Sequence, residues 1–431
     1  MTWLQRYRLQ AFLTSSLWIV PVFGIVLALV IAPEVRRIDA ATHPRLFGFG
    51  TDGARAVLSG LVASIFTFVV FVFSILLVAV QIASANLSPR VIAGVLAKKA
   101  VRWCLGLMVF TFMYGLAALG RIEDPVPQLP VAVAILFSLA SMVAFLYLID
   151  NLSRWLRPVS VLSEVGRAGA RVIESIYPQL LAGSGAGAEM GAGLRDEPPT
   201  VTIRCRDGGV VLAFDIPGLV ARARSADAVI EMAPQVGDFV AKGDPLFWIR
   251  GGRGPLDADE LQQHIALGPE RTTEQDPAFS FRIIVDIASK ALSPAINDPT
   301  TGVLALDQLH HLLRNVGVRR LDAGLVRDRE NRPRLVYRTP DWEDFVGLAV
   351  TEIRQFGATS IQIARRLRAM LEDLLGAVPP ERQEALRREL RLLQRSAERA
   401  FDDPEDQARA RQGDSQGLGG HAAEPASTGS A

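Results

Sequence analysis

The residues best suited to binding chemistry lie in one short stretch, 291–301, with the sequence ALSPAINDPTT. Asn297, Asp298, Thr300 and Thr301 bring oxygen atoms to the predicted start of a helix, where side-chain oxygens hold cations and free backbone N–H groups favour phosphate. An acidic residue followed by proline is also the ordinary pattern of a helix N-cap. The loop is therefore interpreted either as a ligand-binding site or as a cap.

A second set of polar side chains recurs along an apolar run between residues 57 and 83. Gly60, Ser64, Thr67, Ser74 and Gln81, with Ser88 just beyond the run, are spaced by three, four or seven residues, which places them on one face of a helix. This stripe is interpreted either as the lining of a narrow path in an oligomer or as a helix interface of small residues. Because lipid offers polar groups no partners, we expect the stripe to face protein or water and never lipid.

The remaining reactive residue types form no pattern typical of an enzyme. His310 and His311 are adjacent, about 100° apart on a helix, whereas metal-binding pairs need a spacing of three or four residues. Cys104 and Cys205 are far apart, and the chain has no nucleophile motif, no phosphate-binding glycine loop and no zinc-ligand set. We therefore predict no enzymatic activity, no catalytic residues, no cofactor and no metal site.

Composition narrows the class of protein further. The chain has 431 residues, of which 49% are hydrophobic and only 21% charged. Its 46 basic and 45 acidic side chains give no overall field that attracts nucleic acid, so no nucleic-acid partner is expected. These proportions are unlike those of an ordinary soluble enzyme and favour a membrane protein.

Four apolar runs, at residues 12–32, 57–83, 103–120 and 129–149, are each long enough to cross a bilayer as a helix. They predict a transmembrane domain over 1–177 that lies in the lipid bilayer. None of the runs contains Asp, Glu, Lys, Arg or His. Ion-coupled pumps usually keep such a residue inside the membrane, so the pattern disfavours a coupled transporter.

Basic residues near the ends of the four runs set the predicted orientation. Ten Lys and Arg flank one side of the membrane and five flank the other. The positive-inside rule then places both termini in the cytoplasm of a bacterium, with the chain in the inner membrane. Residues 89–102, which begin Pro89-Arg90 and end in a basic cluster, predict a short helix on the cytoplasmic surface.

The chain after the membrane domain predicts a cytoplasmic α+β region. Residues 178–199 are a linker rich in Gly, Ala, Ser and Pro, and residues 200–254 contain five short strand-like runs typical of a small β-barrel or sandwich. Within them, 236–246 (VGDFVAKGDPL) resembles the Gly-Asp hairpin repeat of biotinyl and lipoyl carrier domains. Lys242 lies inside the repeat and not at a separate hairpin tip, so no carrier function is expected.

Residues 255–401 predict a helical cytoplasmic domain, and residues 402–431 predict a disordered tail. Three helix starts repeat one device, an acceptor side chain followed by proline. The three acceptors are Asp276, Ser293 and Asp298. The fold class is therefore a membrane α-helical domain of four transmembrane helices, followed by a small barrel or sandwich and a helical part.

Two phrases of the sequence resemble the signatures of a bacterial family of predicted membrane proteins, domain of unknown function 2254. They are residues 73–90 (FSILLVAVQIASANLSPR) and 286–301 (DIASKALSPAINDPTT). The resemblance covers about residues 3–401 and implies an architecture without an established activity.

Two functions therefore stay open. The first is a homo-oligomeric channel or passive transport protein gated by its cytoplasmic domain, and the second is a membrane-anchored sensor, scaffold or regulator that binds an unknown ligand at the loop 297–301.

Overall fold

Apolar helices form the first part of the chain, and short strands and amphipathic helices form the rest. The computed structural model describes residues 1–42, 44, 48–86, 98–181, 198–252, 254, 256–321 and 324–419. The chain divides into a membrane unit, Leu9–Val161, and a C-terminal unit, which comprises Leu162–Ala431 together with Met1–Arg8.

Four helices of the membrane unit are long and apolar enough to cross a bilayer, in agreement with the predicted four transmembrane helices. They follow a first helix, α1 (Trp3–Ser15), and are α2 (Ile19–Thr42), α3 (Thr51–Asn86), α4 (Lys99–Leu119) and α5 (Gln128–Trp155). With 36 residues, α3 is about 54 Å long at 1.5 Å per residue, which exceeds the roughly 30 Å of a bilayer core. Part of α3 therefore tilts or extends beyond the hydrocarbon.

The first span begins later than predicted. Residues 12–15 belong to α1, and the chain bends at residues 16–18 before α2 starts at Ile19. Thr14 explains part of this break, because its hydroxyl donates to the carbonyl of Gln10 at 2.8 Å and of Ala11 at 3.1 Å. Hydroxyl side chains that bond the backbone in this way favour helix ends over helix interiors.

Helix α4 is the central helix of the membrane unit. In the most apolar part of α4, 56% of the residues are buried, compared with 17% to 22% in the corresponding parts of the other three membrane-length helices. Glycines let α2 approach it closely, since a Cβ on Gly24 would lie 2.8 Å from the Gly106 carbonyl oxygen. The hydroxyls of Thr111 on α4 and Ser141 on α5 lie 2.9 Å apart and join these two helices. Small residues and hydroxyl pairs are the usual means of packing membrane helices.

Helix α6 (Pro158–Ile176) leads to eight strands that form two sheets in the C-terminal unit. The strands are β1 (Val201–Arg204), β2 (Gly209–Phe214), β3 (Ala228–Met232), β4 (Phe239–Val240), β5 (Pro245–Gly251), β6 (Ile265–Gly268), β7 (Gly324–Arg327) and β8 (Pro333–Tyr337). Helix α7 (Ile216–Ser225) follows β2. The five-stranded sheet has the order β1-β5-β3-β8-β7, and the three-stranded sheet has the order β4-β2-β6.

The strands of residues 200–254 do not close into a barrel, which was one of the two predicted forms, and the other form, a sandwich, is not confirmed. The five predicted strands themselves form where expected. The strands separate into the two sheets, and each sheet takes partners from the region predicted to be wholly helical. Strand β8 pairs parallel to β3, with Ile230 opposite Leu335, and β6 pairs with β2, with Val211 opposite Leu267. These distant strands pair with the edges of β3 and β2, where a barrel would have needed strands from within residues 200–254.

The Gly-Asp hairpins take the local structure that their sequence predicts. Gly237 and Gly243 have φ of +93° and +92°, which glycine adopts without steric cost. Asp238 accepts from the Gln235 N–H at 3.0 Å, and Asp244 accepts from the Ala241 N–H at 2.9 Å. Each aspartate thus closes its own turn.

The rest of the C-terminal unit is mainly helical. Its helices are α8 (Ala258–Gln262), α9 (Pro277–Ala291), α10 (Pro299–Val316), α11 (Trp342–Phe356), α12 (Ile361–Ala377) and α13 (Gln383–Ala400), with a 3₁₀ turn at Pro380–Arg382. Phe281, Ile284, Ala288 and Ala291 form the buried stripe of α9 that the sequence predicts.

The predicted helix start at Ser293 is wrong. Its hydroxyl donates to the carbonyl of Lys290 at 2.7 Å, at the end of α9, and is not an acceptor for a new helix. Residues 293–297 form a turn, in which Asn297 has a φ of +49°. The other two caps are confirmed, since Asp276 accepts from the Phe279 N–H and Asp298 accepts from the Thr301 N–H.

The predicted disordered tail is wrong in its first part. Residues Pro404–Ala410 form helix α14, which Asp403 caps, and residues up to 419 pack on α12. The composition of the tail, rich in Gly, Gln and acidic residues, did not predict these contacts. The contacts are made by backbone carbonyls and one carboxylate, which composition does not reveal. Residues 89–97 of the predicted surface helix 89–102 lie outside the described residues, as do Ser88, most of the linker at 182–197 and the last residues, 420–431. The end of that predicted helix, Lys99–Arg102, belongs to α4.

Candidate functional site

The loop 297–301 forms the N-terminus of α10. Asp298 accepts from the Thr301 N–H at 3.1 Å and from the Thr301 hydroxyl at 2.6 Å, one bond to each carboxylate oxygen. The Asp298 N–H donates to the Ala291 carbonyl at 2.7 Å, which ties the loop to the end of α9. Thr301 is buried, whereas Asn297 and Thr300 are exposed.

The interpretation of Asp298 as a helix cap is therefore confirmed. The cap also accounts for Thr301, because both its N–H and its hydroxyl donate to the Asp298 carboxylate. A carboxylate with both oxygens bonded inside its own loop has less capacity left for a cation. The ligand-binding interpretation of Asn297, Asp298, Thr300 and Thr301 stays a prediction. Within this set, Asn297 and Thr300 present the exposed polar groups.

The polar stripe of α3 lies on the outer surface of the membrane unit. Ser64, Thr67, Ser74 and Gln81 are all exposed, and a Cβ on Gly60 would meet no atom within 4 Å. Among the described residues of the membrane unit, the stripe therefore makes no helix interface. Its neighbour is then lipid, water or another subunit.

The stripe points away from the face that α3 buries. The buried side chains of α3 include Leu58, Ile65, Val72 and Ala79. At about 100° per residue, their centre lies roughly 150° around the helix from the centre of the stripe.

The hydroxyls of the stripe already have partners in their own helix. Ser64 donates to the Gly60 carbonyl at 2.8 Å, and Ser74 donates to the Val70 carbonyl at 3.0 Å. Thr67 does the same toward Ala63. Such bonds remove the cost of lipid exposure on which the sequence argument depended. A case for contact with protein or water must therefore rest on shape and exposure.

A cleft that the sequence did not indicate lies in the C-terminal unit. Phe214 and Tyr337 form one wall as an edge-to-face pair with ring centroids 4.9 Å apart. The Gln275 side chain fixes this wall, because it accepts from the Phe214 N–H at 3.1 Å and donates to the Phe214 carbonyl at 3.3 Å. Gln235 and Arg338 add polar groups to the lining.

An ion pair with a buried carboxylate lies at this cleft. Asp276 is 2% exposed and accepts from the Arg271 guanidinium at 2.7 and 2.8 Å. Burial raises the pKa of Asp276, and the charge of Arg271 opposes that rise. The backbone of Gly237 covers the pair, because a Cβ there would lie 2.1 Å from an Arg271 nitrogen. The local sequence predicted Asp276 only as a helix cap. It could not predict the contact with Gly237, because that residue is 39 positions away.

Two tyrosine phenols line the cleft, those of Tyr177 and Tyr337. Burial raises the pKa of both Tyr177 and Tyr337, so their phenols stay protonated near neutral pH. Among the residues that the structure describes, no three His, Cys, Asp or Glu side chains are grouped to hold a metal ion.

Four membrane-length helices followed by mixed sheets and helices define a multi-pass membrane protein. The chain belongs to the predicted membrane protein family DUF2254, whose model matches residues 14–373 and includes both signature phrases. Similar proteins include uncharacterized proteins of Mycobacterium bovis and Mycobacterium tuberculosis, each 26% identical over 423 residues that cover 94% of this chain and 80% of the relative. No solved structure matches the chain.

Proposed function

We propose that the chain forms a homo-oligomer in the bacterial inner membrane and that the α3 faces of neighbouring subunits line a narrow, passive path. One observation carries this proposal: the small and polar stripe at Ser64, Thr67, Ser74 and Gln81 is exposed and points away from its own subunit. Small and polar faces on membrane helices are typical of contacts with other helices.

The interior of a single subunit supports a path between subunits rather than through one. Its buried polar side chains, among the described residues of the membrane unit, are Asp39, Thr111, Ser138 and Ser141. Asp39 accepts from the Leu129 N–H at 2.7 Å, and Thr111 bonds Ser141. These few bonded groups do not form a continuous polar line.

Apolar side chains divide the stripe into short polar segments. Phe71 and Val78 are exposed and lie within about 40° of its centre. Apolar rings of this kind close narrow pores by excluding water. The proposed path is therefore narrow, and small rotations of α3 would open or close it, as expected if the C-terminal unit acts as a gate in the cytoplasm.

The orientation belongs to the same proposal. Both termini and the C-terminal unit lie in the cytoplasm, supported by the ten-to-five distribution of Lys and Arg at the ends of the apolar runs. A reporter fused after Ala431 tests this, because an enzyme that is active only in the periplasm should stay inactive there.

Solute flux from liposomes that contain the purified protein tests the path. Ser74→Leu should reduce flux, because a larger apolar side chain replaces a hydroxyl on the proposed lining. Ala140→Leu on α5 is the matched control, since Ala140 is also exposed in the membrane unit but lies outside the stripe. Equal effects of the two substitutions, or no flux from the unsubstituted protein, would contradict the proposal.

The cleft beside Asp276 favours a second candidate, a membrane-anchored regulator that binds a small ligand. Its supporting observation is an aromatic wall, Phe214 and Tyr337, with Gln235 and Arg338 close by. Apolar clefts with a few polar groups are the usual form of small-ligand sites. A subunit that stays monomeric and passes no solute would favour this function over the path.

A further inference from the structure

The segment 403–419 lies along α12 as a structured strap, beyond the region that the family model matches. Its backbone is anchored to α12 by Arg365, which donates to the carbonyls of Gln412 at 3.2 Å and Gly419 at 3.0 Å. In return, the Asp414 N–H donates to the Arg365 carbonyl at 3.2 Å. Arg365 itself is buried, with 4% of its surface exposed.

One carboxylate organises the end of this strap. Asp414 accepts from the N–H groups of Gln416 and Gly417, both at 3.0 Å, and of Gly419 at 2.7 Å. Gly417 and Gly419 have φ of +68° and +82°, which turns their N–H groups toward the carboxylate. The turn therefore depends on the Asp414 charge and on two glycines.

The strap makes few buried apolar contacts with the rest of the C-terminal unit. Ala410, Asp414 and Gly417 are its buried residues, and Leu418, its largest apolar side chain, is 80% exposed. Segments that have few buried apolar contacts open at low cost compared with the core. Polar contacts are thus the main restraint on the strap. They include those of Arg365 and Asp414, the bond from the Gln362 amide to the Gly417 carbonyl and the Arg411–Glu398 ion pair.

The strap covers the beginning of α10. A Cβ on Gly417 would lie 2.6 Å from a methyl carbon of Val303, so the strap backbone rests directly on that side chain. Val303 is two residues beyond Thr301 and is 7% exposed. Access to the Val303 side of the first turns of α10 is therefore limited by the strap at Gly417.

We infer that residues 403–419 are a displaceable strap, held by the Asp414 turn and by Arg365, that opens to uncover the first turns of α10 beside the loop 297–301. The inference is independent of the proposed path, because its test measures access to one side chain and requires no flux.

Thiol labelling of a full-length Val303→Cys protein in detergent tests the strap. A water-soluble maleimide reports access, and the parent chain gives the background from Cys104 and Cys205, which are buried. Asp414→Asn, added to Val303→Cys, should raise the labelling rate at least tenfold, because the amide nitrogen cannot accept from Gly419. Asp406→Asn on α14 is the matched control and should leave the rate within twofold.

A chain that ends at residue 402 should label fastest. An equal rate in the full-length and shortened Val303→Cys proteins would overturn the inference, because the strap would then not cover Val303. An unchanged rate in Asp414→Asn together with fast labelling of the shortened chain would overturn the role of the Asp414 turn. Hydrogen exchange of α11 amides reports folding in each variant, and exchange of the first α10 amides repeats the comparison without the cysteine.

Discussion

Replacing Asp298 with alanine removes two hydrogen bonds at the start of α10. The Thr301 N–H loses its cap, which costs about 0.5 to 2 kcal/mol. The Thr301 hydroxyl loses its acceptor in a residue that is 6% exposed, and an unsatisfied buried group costs about 1 to 3 kcal/mol. Because the two losses share one site, we expect a total of about 2 to 3 kcal/mol.

Asp298→Asn separates the cap from a charged ligand site. Its side-chain oxygen can still accept from the Thr301 N–H, and its amide can donate to the Thr301 hydroxyl. The expected loss of stability is therefore below about 1 kcal/mol. Lost function with unchanged stability in this variant would support the ligand site, whereas unchanged function would leave only the cap.

Thermal unfolding of the purified protein in detergent measures these changes. A loss of 1 kcal/mol lowers Tm by roughly 2 to 4 °C in a domain of about 150 to 250 residues, so Asp298→Ala should lower Tm by about 4 to 12 °C. Asp341→Ala is the matched control, because Asp341 caps α11 through the Asp344 N–H at 2.8 Å. A smaller loss in Asp298→Ala than in Asp341→Ala would refute the reasoning about Thr301.

Two further predictions concern contacts within the C-terminal unit. Gly237→Ala should destabilise the protein more than Gly243→Ala, since both have φ near +90° but only Gly237 lies against the Arg271 side chain; equal losses of Tm would show that this contact has no cost. Glu352 accepts two bonds from Arg282, at 2.5 and 2.7 Å, which lower the pKa of Glu352 below its ordinary 4.5. Its stabilising effect is thus present above pH 4.5 and lost as pH falls through the lowered pKa, so Tm should fall more between pH 6 and pH 3 in the parent than in Glu352→Gln, and identical pH profiles would contradict this account.

Local patterns in the sequence predicted the elements with local causes. Four apolar runs gave four membrane-length helices, and the Gly-Asp repeat gave two turns closed by Asp238 and Asp244. The caps at Asp276 and Asp298 followed from an acceptor placed before proline. In each case the partners lie within a few residues, so the spacing in the sequence already contains the geometry.

Partners that are distant in sequence could not be predicted in this way. Strand β8 joins β3 across about 100 residues, so each sheet contains strands from outside the region predicted to form the barrel or sandwich. The contact of Gly237 with Arg271 and of Asp414 with α12 depends on the fold as a whole. Periodicity also placed Ser64, Thr67, Ser74 and Gln81 on one face but did not show that this face points outward.

The subunit contact along α3 is tested most directly by cysteine at Ser74 in protein reconstituted into a bilayer. We predict disulfide crosslinks between subunits in Ser74→Cys, together with reaction of Thr67→Cys, Ser74→Cys and Gln81→Cys with a water-soluble thiol reagent. Val143→Cys on α5 is the control, because Val143 is 64% exposed and lies outside the stripe. Crosslinks without reagent access would leave an interface and exclude the path. Neither crosslinks nor labelling at any of the three stripe positions would mean that α3 faces lipid, and would contradict the account.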